Sequence, residues 1–218
     1  MVSDSRILYV FDLDKTLLTK NASFLFYNYL LEKGVFPLSL KRKAAFYHIM
    51  RKCRLFSMEQ FHEKVFQVFL QGTPFTSIDQ HAEDFVEKVF EEVVCPKIGA
   101  FLNKAQKEEQ KILLLSTSPD FLVGRFAKRF GISTWSSSSY LVDKENRFSK
   151  IATTMTGALK AKTALSYRDT WGISKEAIYA FSDSSEDEPL LRLASTAYVI
   201  RPNRRLKNMQ KKRGWILL

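Results

Sequence analysis

The chain has 218 residues, 45% hydrophobic and 26% charged, which is an ordinary globular composition with enough length to bury a sizeable core. Lys and Arg outnumber Asp and Glu by 34 to 23, and the net charge of +11 favours anionic partners such as phosphorylated metabolites, nucleic acid or an anionic membrane surface, though it also serves solubility. No apolar run approaches the ~20 residues of a spanning helix. The first such run ends at an aspartate after five residues, too short for the core of an export signal, so a cytoplasmic protein is expected. Cys53 and Cys95 lack metal-ligand spacing and read as reduced, buried thiols.

Ile7 to Phe11 is a short apolar run with β-branched and aromatic members, expected to be a buried strand. Asp12 and Asp14 follow at i, i+2, and Thr16 adds a hydroxyl. If the strand runs on, both carboxylates point the same way, because side chains alternate with period two. They sit where open α/β sheets place their chemistry, and a bound cation is the natural way to keep both ionised.

Ala22 to Leu31 has helical spacing, punctuated by Gly34 and Pro37. The pattern stays helical to about Gly72. Phe46, Ile49, Met50 and Cys53 share one face, and Phe61, Val65, Phe69 and Leu70 share another. Asp79 to Val94 reads as a further helix. No strand is evident between residues 20 and 110, so this block reads as a helical insertion.

The β pattern resumes at Lys111 to Ser116, a continuous apolar run suited to a strand covered on both faces. A helix is expected over Pro119 to Phe130 and short β pieces over Thr134 to Phe148. Another helix runs from Lys162 to Trp171, then strand Ala177 to Phe181, helix Glu188 to Ala194 and strand Ala197 to Ile200. This alternation argues a doubly wound parallel sheet, an α/β fold with an inserted all-helical cap. The expected division is a core of residues 1–19 plus 98–218 and a cap of 20–97.

Three later segments join the first acidic pair. Ser116, with Thr117, ends a strand and leads into a helix, a phosphate-binding corner or an ordinary N-cap. Lys160 and Lys162 stand at a helix start, against the dipole preference for a cation, so another demand is implied. Asp183 and Asp187 follow the strand that ends at Phe181.

The order Asp, Asp, Ser, Lys, Asp, Asp resembles the haloacid dehalogenase-like phosphatase superfamily over nearly the whole chain. Its four motifs match Asp12-Leu13-Asp14-Lys15-Thr16, Ser116, Lys162 and the pair Asp183 and Asp187. Lys160 is the alternative for the third motif. The helical block after the first motif resembles the phosphoserine-phosphatase-like subgroup, as does the ending from Tyr198 to Asn203 and on to Gly214-Trp215.

The resemblance implies a phosphomonoester hydrolase. Asp12 attacks phosphorus, and Asp14 gives a proton to the leaving oxygen and takes one from water. Mg²⁺ is held by Asp12, the Asp14 backbone carbonyl and Asp183, with Asp187 in support. Ser116, Thr117 and Lys162 bind phosphoryl oxygens. Asp14 also argues against dehalogenation, since the superfamily's dehalogenases lack this second acid.

The implied substrate is a small phosphorylated metabolite other than phosphoserine. Where phosphoserine phosphatases carry a Glu that binds the substrate amine, this chain has Asn21, and their cap Arg segment has no counterpart. Between Lys33 and Glu59 there is no acid, yet Lys41, Arg42, Lys43, Arg51, Lys52 and Arg54 accompany the apolar face of Phe46, Ile49, Met50 and Cys53. Such a helix can lie on an anionic membrane, or pack its apolar face on neighbouring helices. Tyr179 to Leu191 resembles the bacterial phosphatidylglycerophosphate phosphatases, which makes lipid phosphate the second substrate reading. The C-terminal cluster Arg201, Arg204, Arg205, Lys207, Lys211, Lys212 and Arg213 suits nucleic acid electrostatically, but no nucleic-acid motif accompanies it.

Overall fold

The computed structural model describes residues 6–52 and 55–218; the side chains at 41, 44, 48, 51, 52 and 58 lie outside the description. Seven strands form one sheet in the order β4-β3-β2-β1-β5-β6-β7, with every neighbouring pair parallel except β3 and β4. The strands are β1 (Leu8–Asp12), β2 (Lys111–Pro119), β3 (Trp135–Val142), β4 (Phe148–Thr153), β5 (Ile178–Ser182), β6 (Thr196–Val199) and β7 (Ile216–Leu217).

β1 lies at the centre, between β2 and β5, and all five of its residues are buried. Alternation then sorts its side chains. Tyr9 and Phe11 face the larger core, where Phe11 stacks on Phe181 at 4.6 Å and Phe181 on Tyr198 at 4.5 Å. Leu8 and Val10 face the smaller core under α7 (Gly157–Thr170), α8 (Glu188–Leu193) and α9 (Arg204–Arg213). Both faces are covered, which is why the central strands read as unbroken apolar runs.

Between β1 and β2 the chain is helical: α1 (Ala22–Glu32), α2 (Ser39–Lys52), α3 (Met58–Phe69), α4 (Phe75–Val93) and α5 (Pro96–Lys107). It leaves and returns at one place, where Leu18 bridges Val94 and the Cys95 N–H donates to the Leu17 carbonyl at 2.8 Å. The inserted helices are also pinned at their far side. Gly72 N–H donates to the Phe148 carbonyl at 2.8 Å, and Phe148 N–H to the Thr73 carbonyl at 3.0 Å. α4 is tied to α6 (Asp120–Arg129) by Arg125 on Asp79 (2.8 Å) and Glu83 (2.7 Å).

Three expectations are corrected. α7 begins at Gly157, five residues before the expected start, because Thr156 N-caps it by accepting from Leu159 N–H. Helix α5 and the C-terminal α9 and β7 have no counterpart among the expected elements; Pro at the first turn marks α5 and Asn203 caps α9. In α2, Phe46 and Ile49 are not a buried face among the described side chains; they are 55% and 58% exposed. Cys95 is a half-buried free thiol, and Cys53 and Arg54 lie outside the described residues. Among the described residues no helix is long and apolar enough to cross a membrane.

Candidate active site

The parallel sheet brings the C-terminal ends of β1, β2 and β5 side by side, and with them Asp12, Ser116 and the turn carrying Asp183. β1 stops at Asp12. The chain then turns through Leu13–Leu17, with Lys15 in the left-handed region at φ 57. Because the strand ends there, Asp12 and Asp14 do not share one direction as an extended strand would require. Asp12 Oδ1 meets Lys160 Nζ at 2.6 Å, and its Oδ2 accepts from Thr16 Oγ1 at 3.1 Å. Asp14 turns toward the start of α1, where its Oδ1 accepts from Ala22 N–H at 2.5 Å and its Oδ2 from Ser118 Oγ at 2.6 Å.

The lysine in this cluster is Lys160. It is 2% exposed and bridges Asp12 to Asp187, whose Oδ2 lies 2.8 Å away. Lys162 is exposed on the opposite side of α7. Two residues on an α-helix turn the side chain by roughly 200°, so both cannot face the sheet. Gly157, Lys160 and Ala164 form the buried stripe of α7, and Lys162 falls outside it. The preference for Lys162 is therefore corrected to Lys160. This also explains a cation near a helix N-terminus: two carboxylates hold it there.

Gly157 sets the approach that makes this contact possible. A Cβ at that position would lie 1.8 Å from the Glu186 carbonyl oxygen. Only glycine lets α7 close on the turn Ser185–Asp187, one helical turn from Lys160. Asp187 is in turn oriented by Ser182, whose Oγ donates to the same Oδ2 at 2.7 Å. The Asp187 side chain is thus engaged with protein partners and supports Lys160 directly.

Ser116 is fully buried, with its Oγ 3.4 Å from Asp14 Oδ2 and accepting from Ser118 N–H at 3.1 Å. The Thr117 hydroxyl belongs elsewhere. It donates to the Met155 carbonyl at 3.0 Å, which turns the side chain toward the β4–α7 connection and away from the cluster at Asp14. Ser118 takes its place beside Asp14 and also contacts Ser23 Oγ at 2.6 Å. Ser118 stood in the same hydroxyl-rich corner of the sequence; strand alternation turns it to Asp14 together with Ser116, and Thr117 to the other side. Arg201, grouped with the basic C-terminus, braces the Asp14 turn by donating to the carbonyls of Lys15 (2.7 Å), Leu18 (3.1 Å) and Thr19 (3.2 Å). No sequence signal pointed to these carbonyls.

Burial dominates the electrostatics. It raises the pKa of Asp12 well above the usual carboxylate value, opposed by Lys160 and reinforced by Asp187, Asp183 and Asp14. It likewise raises Asp14, against the hydrogen bonds from Ser118 and Ala22. Asp183 is pushed up to about 6, by burial first, with Lys15 and Lys160 opposing and Asp187 and Asp14 adding to the rise. Lys160 goes the other way: burial lowers its pKa, but Asp12 and Asp187 more than offset this and keep it charged.

Four carboxylates thus share one buried ammonium, an excess of negative charge that a divalent cation would relieve. Among the described residues no group of three His, Cys, Asp or Glu side chains forms a ready metal cage. Asp12 and Asp183, at the ends of adjacent strands, nevertheless fit Mg²⁺, which characteristically takes one or two carboxylates and completes its shell with water and phosphate.

A mostly parallel sheet with acids, a buried lysine and hydroxyls at its C-terminal edge defines a polar site where doubly wound, Rossmann-like sheets place their ligands. Residues 9–192 match the haloacid dehalogenase-like hydrolase family, and the chain belongs to it. A phosphoserine phosphatase of Mycobacterium tuberculosis is 26% identical over 134 residues, 59% of this chain and 44% of that one; the chain spans less than half the length of that relative. Among solved structures, a protein of unknown function from Bordetella pertussis superposes with a TM-score of 0.87 at 19% identity, covering 98% of both chains. A substrate-bound phosphoserine phosphatase superposes with a TM-score of 0.74 at 12% identity, covering 99% of this chain and 94% of that one. These superpositions show a shared fold over nearly the whole chain.

Proposed function

We propose that this chain is a Mg²⁺-dependent phosphomonoester hydrolase that works through an aspartyl-phosphate on a small phosphorylated substrate other than phosphoserine. In this reading residues 1–19 and 98–218 are the catalytic core and residues 20–97 the cap. The observation that carries it is the separation of two neighbouring acids into two environments: Asp12 paired with the Lys160 ammonium, Asp14 hydrogen-bonded to Ser118 and the α1 start. Asp12 is the nucleophile and opens a two-step path. Asp14, with its raised pKa, donates the proton to the leaving oxygen and then receives one from the attacking water. Lys160 has three N–H donors, two of them engaged, and the third is free to meet a phosphoryl oxygen. Ser116 adds a hydroxyl donor to the same oxygens. Asp12, Asp183 and the Asp14 backbone carbonyl would hold Mg²⁺, which would neutralise charge on the phosphoryl group.

Asn21 supports the exclusion of phosphoserine. Its Oδ1 caps α1 by accepting from Phe24 N–H at 2.8 Å, so it is engaged with backbone and carries no charge for a substrate amine. The test is phosphate release across phosphomonoesters, with Mg²⁺ and with chelator, beside Asp12→Asn. Metal-dependent release that falls more than ~10³-fold in the variant is expected. Residual activity within tenfold of wild type would remove Asp12 from the nucleophile role.

A second reading, a lipid-phosphate phosphatase working at a membrane surface, is favoured by α2. Leu38, Phe46, Ile49 and Leu55 are all more than half exposed, and Arg42 and Lys43 are exposed in the same stretch. Lys41, Arg51, Lys52, Cys53 and Arg54 contribute to this expectation by sequence alone, lying outside what is described. Sedimentation with vesicles containing an anionic phospholipid, lost in Phe46→Ser/Ile49→Ser, would support it; equal binding to neutral vesicles would not. The nucleic-acid reading of the C-terminus is weakened by Arg201, which serves the active-site turn. Steeply salt-dependent binding to random duplex would revive it.

A further inference from the structure

A cleft lies between the inserted helices and the start of α6, two hydroxyl groups from Asp14. Its wall runs from Ser23 and Tyr27 on α1, across Val65 and Phe69 on α3, to Phe121 and Tyr140 on the core side. Its volume is about 100 Å³, of the same order as the ~150 Å³ apolar cavity that takes up benzene. Among the described residues no Asp, Glu, Lys or Arg lines it; His62 does. Two hydrogen-bonded hydroxyls stand between the cleft and the catalytic acid: Ser23, in the wall, has its Oγ 2.6 Å from Ser118 Oγ, which lies 2.6 Å from Asp14 Oδ2, and Pro119, next to Ser118, belongs to the wall. Among the described residues the Tyr27 hydroxyl, buried in this wall, has no hydrogen-bond partner.

We infer that this cleft receives the leaving group of the substrate and that the group is apolar and uncharged, an alkyl or aryl alcohol carrying at most one polar function. The inference rests on the phosphatase reading, in which Asp14 protonates the leaving oxygen. Asp12 forms a bond to phosphorus as the P–O bond to the leaving group breaks. The leaving oxygen takes the Asp14 proton and departs as the neutral alcohol. Water then attacks the aspartyl-phosphate, returns a proton to Asp14 and releases inorganic phosphate. The group attached to that oxygen must lie on the Asp14 side of phosphorus, and there the walls are aromatic and aliphatic. A charged amino-acid leaving group would lose hydration there, and its ammonium would meet no acidic side chain among the described wall residues. An apolar one gains from leaving water, and the Tyr27 hydroxyl offers one hydrogen bond.

The test is kcat/KM with Mg²⁺ for methyl, ethyl, butyl and hexyl phosphate, phenyl phosphate and phosphoserine. The inference expects kcat/KM to rise roughly threefold per methylene until the cleft is filled. Phenyl and butyl phosphate should exceed phosphoserine at least tenfold. Val65→Trp, which narrows the cleft, should lower the hexyl-to-methyl ratio of kcat/KM at least tenfold. Loss of preference for hexyl alone, with phenyl retained, would restrict the class to compact aryl esters and reject long-chain substrates. A flat series, or phosphoserine as the best ester, would overturn the inference while leaving the phosphatase reading intact. No release from any ester by folded, Mg²⁺-loaded protein would overturn the phosphatase reading itself.

Discussion

Replacing Lys160 by methionine keeps the length and apolar stem of the side chain and deletes its charge. The wild-type ammonium lies 2.6 Å from Asp12 and 2.8 Å from Asp187, with all three side chains at 7% exposure or less. Removing one partner of a buried pair leaves uncompensated carboxylates and costs about 3–5 kcal/mol. In a chain of this size each kcal/mol lowers Tm by roughly 2–4 °C, so a fall of roughly 6–20 °C is expected. The two carboxylates lose their compensation only while ionised. The penalty is therefore present at neutral pH and shrinks as pH falls and Asp12, whose pKa burial raises, takes up a proton. Differential scanning calorimetry at pH 7 and pH 5, beside single-turnover phosphate release, measures both effects. Turnover should fall ~10³-fold or more, because the nucleophile and the phosphoryl oxygens lose the same cation. Lys162→Met, on the exposed face of α7, should stay within about 0.5 kcal/mol of wild type and within twofold in rate. The reverse pattern, with Lys162→Met inactive and Lys160→Met active and stable, would refute the assignment and the reading of α7 behind it.

Gly157→Ala should displace α7 from the Ser185–Asp187 turn, since its Cβ would meet the Glu186 carbonyl at 1.8 Å; a lower Tm with kcat reduced at least tenfold is expected, and a variant indistinguishable from wild type would show that the turn yields freely. Mg²⁺ should raise Tm more at pH 7 than at pH 5, because Asp183, raised to about 6 mainly by burial, binds a proton below that value and is available to metal only above it; a shift independent of pH would remove Asp183 from the metal set. Arg201→Ala should loosen the Asp14 turn, lowering kcat severalfold with little change in Tm, since the side chain is exposed; an unchanged kcat would limit Arg201 to a surface clasp.

Much of this protein is determined by local sequence. Ile7 to Phe11 and Lys111 to Ser116 are unbroken apolar runs, and only a strand covered on both faces buries them completely, so the doubly wound sheet and its active edge follow. Asp12, Ser116 and Asp183 come with those strands because each lies at a strand end or in the turn that follows it, and helical spacing over residues 22–93 marks the insertion. What tertiary structure decided are rotations and partners. Lys160 and Lys162 are equivalent as letters, and their ranking rests on where α7 starts and which stripe faces the sheet. That depends on Thr156 as cap and on Gly157 against Glu186, a residue 29 positions away. Ser118, two residues on from Ser116 in β2, faces Asp14 with it, while Thr117 between them turns to the Met155 carbonyl. Phe46 and Ile49 have the spacing of a core face, yet among the described side chains they stand exposed, since amphipathic spacing states that a helix has an apolar side and not what covers it. Side-chain type and period are local properties; direction and company are set by contacts between segments far apart in the chain.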